Sequence, residues 1–233
     1  MERPAKREIE RIREVYGKRT GISPRYSLFN SGELYAYQQR ERGIIQALKD
    51  SAFESLSGKR ILDLGCGNGN ILRDFLRYGA SPRNLFGIDL LEDRLTTAKR
   101  ICPNISFILG SGEALPHVDR TFDLIICFTV FSSILDDEIQ KNLAEEVLRV
   151  LKEGGAILWL DFFISHPLNP DTRGVSKRRI RALFPNCQLN LTRSILAPII
   201  YRRLVPYSWL AALFLEKLKI FNTYYLGLIT KPK

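Results

Sequence analysis

Three glycines and one aspartate form the part of the sequence best suited to binding a small molecule. The run Ile61-Leu-Asp-Leu-Gly65-Cys-Gly67-Asn-Gly69-Asn70 joins an apolar strand to a turn in which alternate residues are glycine. Glycine lets the backbone approach a ligand and present its N–H groups, and a following helix adds a positive dipole. Asp63 stands inside the strand, where a buried carboxylate needs a donor such as a ligand ammonium. This turn predicts a site for a polar cofactor other than a dinucleotide, because Asn70 replaces the third glycine of that fingerprint.

The elements that must hold this turn alternate between short apolar runs and helical segments. Seven runs have strand character, at 60–64, 85–88, 106–109, 124–128, 156–160, 188–196 and 224–229. Runs that are apolar throughout are typical of strands covered on both faces, and repeated strand–helix spacing predicts a doubly wound α/β sheet that is mostly parallel. Before the fifth of these strands, Asp136 and Asp137 predict the start of a packing helix and Gly154-Gly155 its end.

The chain of 233 residues is long enough for one α/β domain with a full core. We expect an N-terminal segment over 1–58 and the binding domain over 59–233, with an amphipathic, helical insert at about 197–221. The first segment combines a charged helix over 1–20 with an aromatic loop. That loop is interpreted either as packing or as a lid that walls the acceptor, through Tyr26, Phe29, Tyr35 and Tyr37.

Residues 59–162 resemble the class I S-adenosylmethionine-dependent methyltransferases, most closely the subgroup (methyltransferase type 11) that includes the ubiquinone and menaquinone methyltransferases. The glycine turn is similar to that family's first motif, and Leu85-Phe-Gly-Ile-Asp89-Leu90 to its second strand, whose acid binds the ribose hydroxyls. The resemblance implies S-adenosylmethionine as the cofactor and a Rossmann-like sheet of seven strands with an antiparallel last strand. It also implies the cofactor-binding residues Asp63, Gly65, Cys66, Gly67, Asn68, Gly69, Asp89, Leu90, Ser111, Gly112, Glu113 and Phe128.

Methyl transfer mainly requires alignment of the acceptor, and a base is needed only for hydroxyl acceptors. Asp161 and His166 are the candidate bases, because they follow the fifth strand, where the family builds its acceptor pocket. The chain lacks the Asn/Asp-Pro-Pro-aromatic motif of many nitrogen methyltransferases after 128. Residues 25–33 resemble methyltransferases of surface-polysaccharide gene clusters. We therefore expect oxygen methylation of a small-molecule, glycan or lipid-linked acceptor.

The net charge of +10 is concentrated at the two ends of the chain. This distribution indicates solvated surface or an anionic partner, and it leaves an RNA methyltransferase that uses the basic run 173–181 as an alternative. The basic, apolar insert 197–221 is interpreted as a cap or dimer contact, with contact to an anionic membrane as the alternative. A catalytically silent partner subunit is a further hypothesis, and a nicotinamide oxidoreductase is a distant one.

The cysteines and the N-terminus suggest where the protein works. The four cysteines form no C-x-x-C pair, only two histidines accompany them, and no apolar leader is visible, so we expect no metal or disulfide framework and a cytoplasmic protein. The membrane alternative for the insert would place it at the inner face of the membrane.

Overall fold

The protein is built around a seven-stranded sheet in a computed structural model that describes residues 4–18, 27–51, 53, 55–165 and 169–232. The strands are β1 (Ile61–Leu64), β2 (Leu85–Asp89), β3 (Ser106–Leu109), β4 (Phe122–Phe128), β5 (Leu151–Phe162), β6 (Gln188–Leu196) and β7 (Asn222–Thr230). Their order is β3-β2-β1-β4-β5-β7-β6. The first five run parallel, and β7 runs antiparallel to both β5 and β6. The predicted Rossmann-like sheet with an antiparallel last strand is confirmed.

Eight helices cover the two faces of this sheet in the described part of the chain. They are α1 (Pro4–Gly17), α2 (Ser31–Lys49), α3 (Asn70–Arg77), α4 (Glu92–Ile101), α5 (Asp137–Val150), α6 (Lys177–Leu183), α7 (Pro198–Leu204) and α8 (Trp209–Lys217). One hydrophobic core packs α2, α3, α4, α7 and α8 on one face of the sheet, and a second packs α5 and α6 on the other. None of the helices in the described ranges is long and apolar enough to cross a membrane.

Three boundaries differ from the sequence-based expectation. Asn30 caps α2 by accepting a hydrogen bond from the Gly32 N–H at 3.0 Å, so Tyr35 and Tyr37 lie on a helix and not in a loop. Helix α5 ends at Val150, and Gly154-Gly155 lies within β5. The insert 197–221 is two helices, because Ser208 caps a new helix after Pro206.

Candidate functional site

The turn after β1 is built from glycines in the left-handed region. Gly65, Gly67 and Gly69 have φ values of 71°, 51° and 72°, which side-chain-bearing residues rarely adopt. The N–H groups of Gly65 and Cys66 both donate to the Ile88 carbonyl, at 2.8 and 3.0 Å. A Cβ on Gly67 would come no closer than 4.0 Å to any neighbour outside the turn. The turn is therefore fixed on its inner side and open on its outer side.

Asp63 presents an unpartnered acceptor beside this turn. Its side chain is 2% exposed, and its Oδ2 has no hydrogen-bond partner among the residues described. Burial raises the pKa of Asp63 well above its ordinary value, and repulsion from Asp89 adds to this, while Arg40 opposes it. An acceptor of this kind is stabilised by a cationic donor.

Asp89 connects the glycine turn to the end of β2. Its Oδ2 accepts from the Gly67 N–H at 2.8 Å, and its Oδ1 accepts from the Leu91 N–H at 2.9 Å. Each carboxylate oxygen keeps a second lone pair. Asp89 is thus held rigidly with acceptor capacity left over.

The predicted cofactor-binding residues Ser111, Gly112 and Glu113 follow β3 and lie beside Asp89. The Gly110 N–H donates to the Asp89 carbonyl at 3.0 Å, which brings Ser111, Gly112 and Glu113 next to β2. Ser111 Oγ accepts from the Glu113 N–H at 3.3 Å. A Cβ on Gly112 would approach Leu143 Cδ1 to 2.4 Å, so this position has room only for glycine. Leu90, which follows Asp89, is half-buried.

A cleft of about 1790 Å³ opens along the carboxyl ends of β1, β4 and β5. Six of the predicted cofactor-binding residues line this cleft: Asp63, Gly65, Cys66, Gly67, Asn68 and Phe128. Gly69, Asp89, Leu90, Ser111, Gly112 and Glu113 are not among its lining residues. The volume exceeds the roughly 300–1,000 Å³ of a typical single-ligand pocket. There is room for two ligands side by side.

Arg40 is a site residue that the sequence motifs did not reveal. It projects from α2 into the cleft, with Nη2 3.6 Å from Asp74 Oδ2 and its guanidinium 5.0 Å from the Tyr37 ring centroid. Its buried Nε has no hydrogen-bond partner in the described part of the chain. The same cleft therefore holds an unpartnered donor and an unpartnered acceptor. Nothing in the α2 sequence distinguishes Arg40 from its neighbour Arg42.

One part of the cleft lining is apolar, although Asn169, Thr172, Arg173 and Arg202 also line the cleft. This apolar part is formed by Leu160, Phe162, Ile164, Ile195, Ile199 and Tyr224. Thr129, at the end of β4, adopts a φ of 54° and donates its N–H to the Leu160 carbonyl at 2.7 Å, which fixes the spacing of β4 and β5 at this point.

Asp161 faces away from the cleft. Successive residues of a strand point to opposite faces, so Leu160 and Phe162 line the cleft while Asp161 lies on the α5 side. Its oxygens accept from the Ser132 and Phe162 N–H groups, both at 2.9 Å. Burial raises the pKa of Asp161 to about 7, against these hydrogen bonds. This geometry gives Asp161 a structural role in holding the turn at Phe131–Ser133.

The remaining predicted acceptor residues are dispersed. His166 and Tyr26 lie outside the described residues. Phe29 is fully exposed, whereas Tyr35 is fully buried and donates from its hydroxyl to Glu216. Tyr37 lines the cleft and donates to Asp74 Oδ1 at 2.6 Å.

Helix α1 is tied to the segments on either side of the glycine turn. Glu8 Oε1 accepts from the Leu135 N–H at 2.6 Å, and Arg11 donates to the Ser133 carbonyl at 2.6 Å, both after β4. At its other end, Arg94 of α4 donates to the Tyr16 carbonyl at 2.8 Å. Because β1 lies between β2 and β4, these contacts, here called the α1 clasp (Glu8, Arg11 and Tyr16), bridge the region of the turn.

Comparison with known proteins agrees with this geometry. A family profile described as a methyltransferase domain matches residues 61–155. A demethylmenaquinone methyltransferase of Lactococcus lactis is 26% identical over 206 residues, covering 86% of this chain and 73% of the relative. A phthiotriol/phenolphthiotriol dimycocerosates methyltransferase of Mycobacterium ulcerans is 32% identical over 114 residues, covering 46% of this chain and 38% of the relative. The chain spans 60% of the length of several other curated relatives that it matches.

A solved structure reproduces the whole fold. An S-adenosylmethionine-dependent methyltransferase from Thermotoga maritima superposes with a TM-score of 0.59 at 15% identity, covering 96% of this chain and 98% of that one. Residues 61–155 form a methyltransferase domain, and the comparisons support a class I S-adenosylmethionine-dependent methyltransferase. Its cofactor is S-adenosylmethionine.

The residues of the cleft fit the cofactor of a class I methyltransferase. S-adenosylmethionine carries an ammonium and a carboxylate, and the cleft offers an unpartnered carboxylate oxygen at Asp63 and an unpartnered guanidinium nitrogen at Arg40. The open outer side of the glycine turn leaves space for a ligand against the backbone.

Proposed function

We propose that this methyltransferase transfers the methyl group of S-adenosylmethionine to an oxygen atom of a small-molecule or lipid-linked acceptor held in the apolar part of the cleft. The observation that carries the proposal is the buried, unpartnered Oδ2 of Asp63, a residue that lines the cleft beside the open glycine turn. A buried carboxylate without a donor is costly unless a ligand completes it.

In this proposal each end of the cofactor has its own partner. Asp63 accepts from the ammonium, Arg40 pairs with the carboxylate, and the turn from Gly65 to Gly69, with Cys66 and Asn68, packs against the cofactor backbone. Asp89 accepts from the ribose hydroxyls through its spare lone pairs. The adenine is then placed against Leu90, Ser111, Gly112 and Glu113, while Phe128 borders the sulfonium side of the cleft.

The residues that would contact the acceptor favour one that is apolar and easily ionised. The bound cofactor supplies an electrophilic methyl group, so the protein needs only to align the acceptor and exclude water. Among the described lining residues on this side, Glu33 already accepts from Arg202 at 2.7 Å, and Asp161 lies behind the wall. An acceptor hydroxyl that ionises without a strong base, such as a phenol, suits this wall better than a bare glycan.

Residues 1–58 act as a lid in this proposal. The α1 clasp covers the region of the turn, and α2 supplies Arg40 and Tyr37 to the cleft wall. The lid hypothesis for the N-terminal segment therefore rests on α1, with α2 as a fixed wall, and not on the aromatic loop.

The test is calorimetric titration with S-adenosylhomocysteine of the wild type, Asp63→Asn and Asp161→Asn. Asp63→Asn is nearly isosteric but loses the negative charge, so we expect its affinity to fall by about 10-fold or more. Asp161→Asn is the matched control, because it changes a buried acid at the end of β5, two strands away from β1, that faces away from the cleft. Equal affinities in all three proteins would contradict the assignment of Asp63.

Proton release gives the same test a second readout. Burial raises the pKa of Asp63, so the free protein holds a proton there over a pH range in which the ammonium-bound form does not. Titration in buffers of different ionisation enthalpy should show a proton released on binding by the wild type and none by Asp63→Asn.

The acceptor is tested with methyl-labelled cofactor. Phenolic and quinol lipids are compared with nucleotide sugars and RNA, and the methylated atom is identified by mass spectrometry and NMR. If the labelled methyl group is found on carbon, the proposal of oxygen methylation is wrong.

RNA is not favoured as the acceptor, because Arg173 and Arg179 of the basic run both pair with Asp137. Cofactor binding without label transfer to any acceptor would favour a silent partner subunit.

A further inference from the structure

Helix α8 and the turn before it carry exposed apolar side chains that do not pack in the core. Tyr207, Leu210 and Phe214 recur every three or four residues and are 90%, 78% and 64% exposed. The opposite face of α8 is the one that packs, with the Trp209 ring centroid 5.4 Å from that of Tyr35. Removing these exposed side chains would therefore leave the core intact.

Exposed apolar side chains are also present at the cleft, on α7, which contacts α8, and just before α2. Ile199 of α7 is 64% exposed and Leu28, before α2, is half-exposed, and both line the cleft. The start of α2 and α7 are in contact, because a Cβ on Gly32 would lie 3.1 Å from the Arg202 Cα. We call this surface the apolar rim; it comprises Leu28, Phe29, Ile199, Tyr207, Leu210 and Phe214.

The exposed charges near the apolar rim in residues 197–221 are positive. Arg203, Lys217 and Lys219 are exposed, whereas Arg202 pairs with Glu33, and the single acid of this range is Glu216. Glu216 is buried, and its carboxylate accepts from the Tyr35 hydroxyl and the Ile195 N–H. Apolar side chains with basic residues and no exposed acid match an anionic lipid surface, where apolar burial and electrostatic attraction add. A contact between two copies of this surface would instead bring like charges together.

We propose that the apolar rim docks on an anionic lipid bilayer and places the mouth of the cleft against it. Docking would let an acceptor with a long apolar chain enter the cleft directly from the lipid. This last step rests on the proposed acceptor class, whereas docking itself is independent of it.

The test is co-sedimentation of the full chain with phosphatidylglycerol-containing vesicles and with pure phosphatidylcholine vesicles. Leu210→Ser is compared with Val118→Ser, because Val118 is also 78% exposed but lies outside the rim. We expect Leu210→Ser/Phe214→Ser to weaken partitioning into anionic vesicles about 10-fold or more, and Val118→Ser to leave it unchanged. Lys217→Gln/Lys219→Gln should weaken binding and reduce its dependence on salt.

Three outcomes would overturn docking: no wild-type binding to anionic vesicles, equal binding to neutral ones, or equal losses in Leu210→Ser and Val118→Ser. A dimer in light scattering that Leu210→Ser converts to a monomer, without vesicle binding, would assign the rim to a second copy. S-adenosylhomocysteine titration of every variant separates the two proposals, since rim variants should bind it like the wild type. Failure of wild-type binding to this ligand would count against the proposed function alone.

Discussion

Helices α1 and α2 both precede the sheet, and α2 lines the cleft while α1 is bonded to Arg94 of its lining, but the two helices are attached in opposite ways. The only buried side chain described in α1 is the carboxylate of Glu8, and the helix is held mainly by polar contacts. Helix α2 buries Tyr35, Ile44 and Leu48 in the core. Polar contacts can be exchanged for water at little cost, whereas apolar burial cannot. Helix α1 is thus suited to open, and α2 to support the cleft.

The largest effect should come from removing the anchor of α2. Tyr35→Ala leaves a cavity between α2, α7 and α8 and deprives Glu216 of a donor, so we expect a loss of about 3–5 kcal/mol in the free energy of unfolding. Tyr35→Phe removes only the hydroxyl and should cost about 1–3 kcal/mol. Urea denaturation followed by circular dichroism measures both. Losses below 1 kcal/mol for Tyr35→Ala would show that α2 is no better anchored than α1.

At the α1 clasp we expect a smaller effect, which concerns the dissociation rate of the ligand and not the free energy of unfolding. Glu8→Gln weakens the charge-assisted bonds to Arg11 and to the Leu135 N–H. We therefore expect S-adenosylhomocysteine to dissociate about 10-fold faster, as measured by stopped-flow fluorescence, while the midpoint of urea unfolding changes little. Glu14→Gln is the control, because Glu14 lies on the exposed face of the same helix and its ion pair among the described residues is with Lys18. Equal dissociation rates for Glu8→Gln and Glu14→Gln would show that α1 does not gate the cofactor.

The smallest expected effect is a difference between α1 and α2 in how their hydrogen exchange responds to pH. Burial alone would raise the pKa of Glu8, but hydrogen bonds from Arg11 and Leu135 outweigh it and lower the pKa, so the clasp is lost as the pH falls below the ordinary range of Glu. Burial raises the pKa of Glu216 despite its bonds to Tyr35 and Ile195, so acid does not weaken the attachment of α2. Hydrogen exchange, corrected for intrinsic rates, should therefore rise in α1 and not in α2 near pH 4. Parallel changes in the two helices would contradict this assignment.

The sequence predicted what depends on local spacing and missed what depends on packing across the sheet. The fold and the turn at Gly65–Gly69 follow from strand and glycine patterns that neighbouring residues determine. Arg40 reaches the cleft only because α2 packs on β7, where a Cβ on Gly43 would touch Leu226. The side of the sheet that Asp161 faces depends on the strand register with β4, which the end of an apolar run does not reveal.

The position of β7 also has a consequence for the order in which the molecule can assemble. In the described sheet β6 pairs with β7 and not with β5, although β6 precedes β7 in the chain. Helices α7 and α8 lie between these two strands in sequence, so β6 can join the sheet only after the chain has passed through both helices and returned. Such non-local pairing is slow compared with neighbouring contacts. The wall at Ile195 and Tyr224 is therefore expected to form late, after the glycine turn has been made by the strands that precede it.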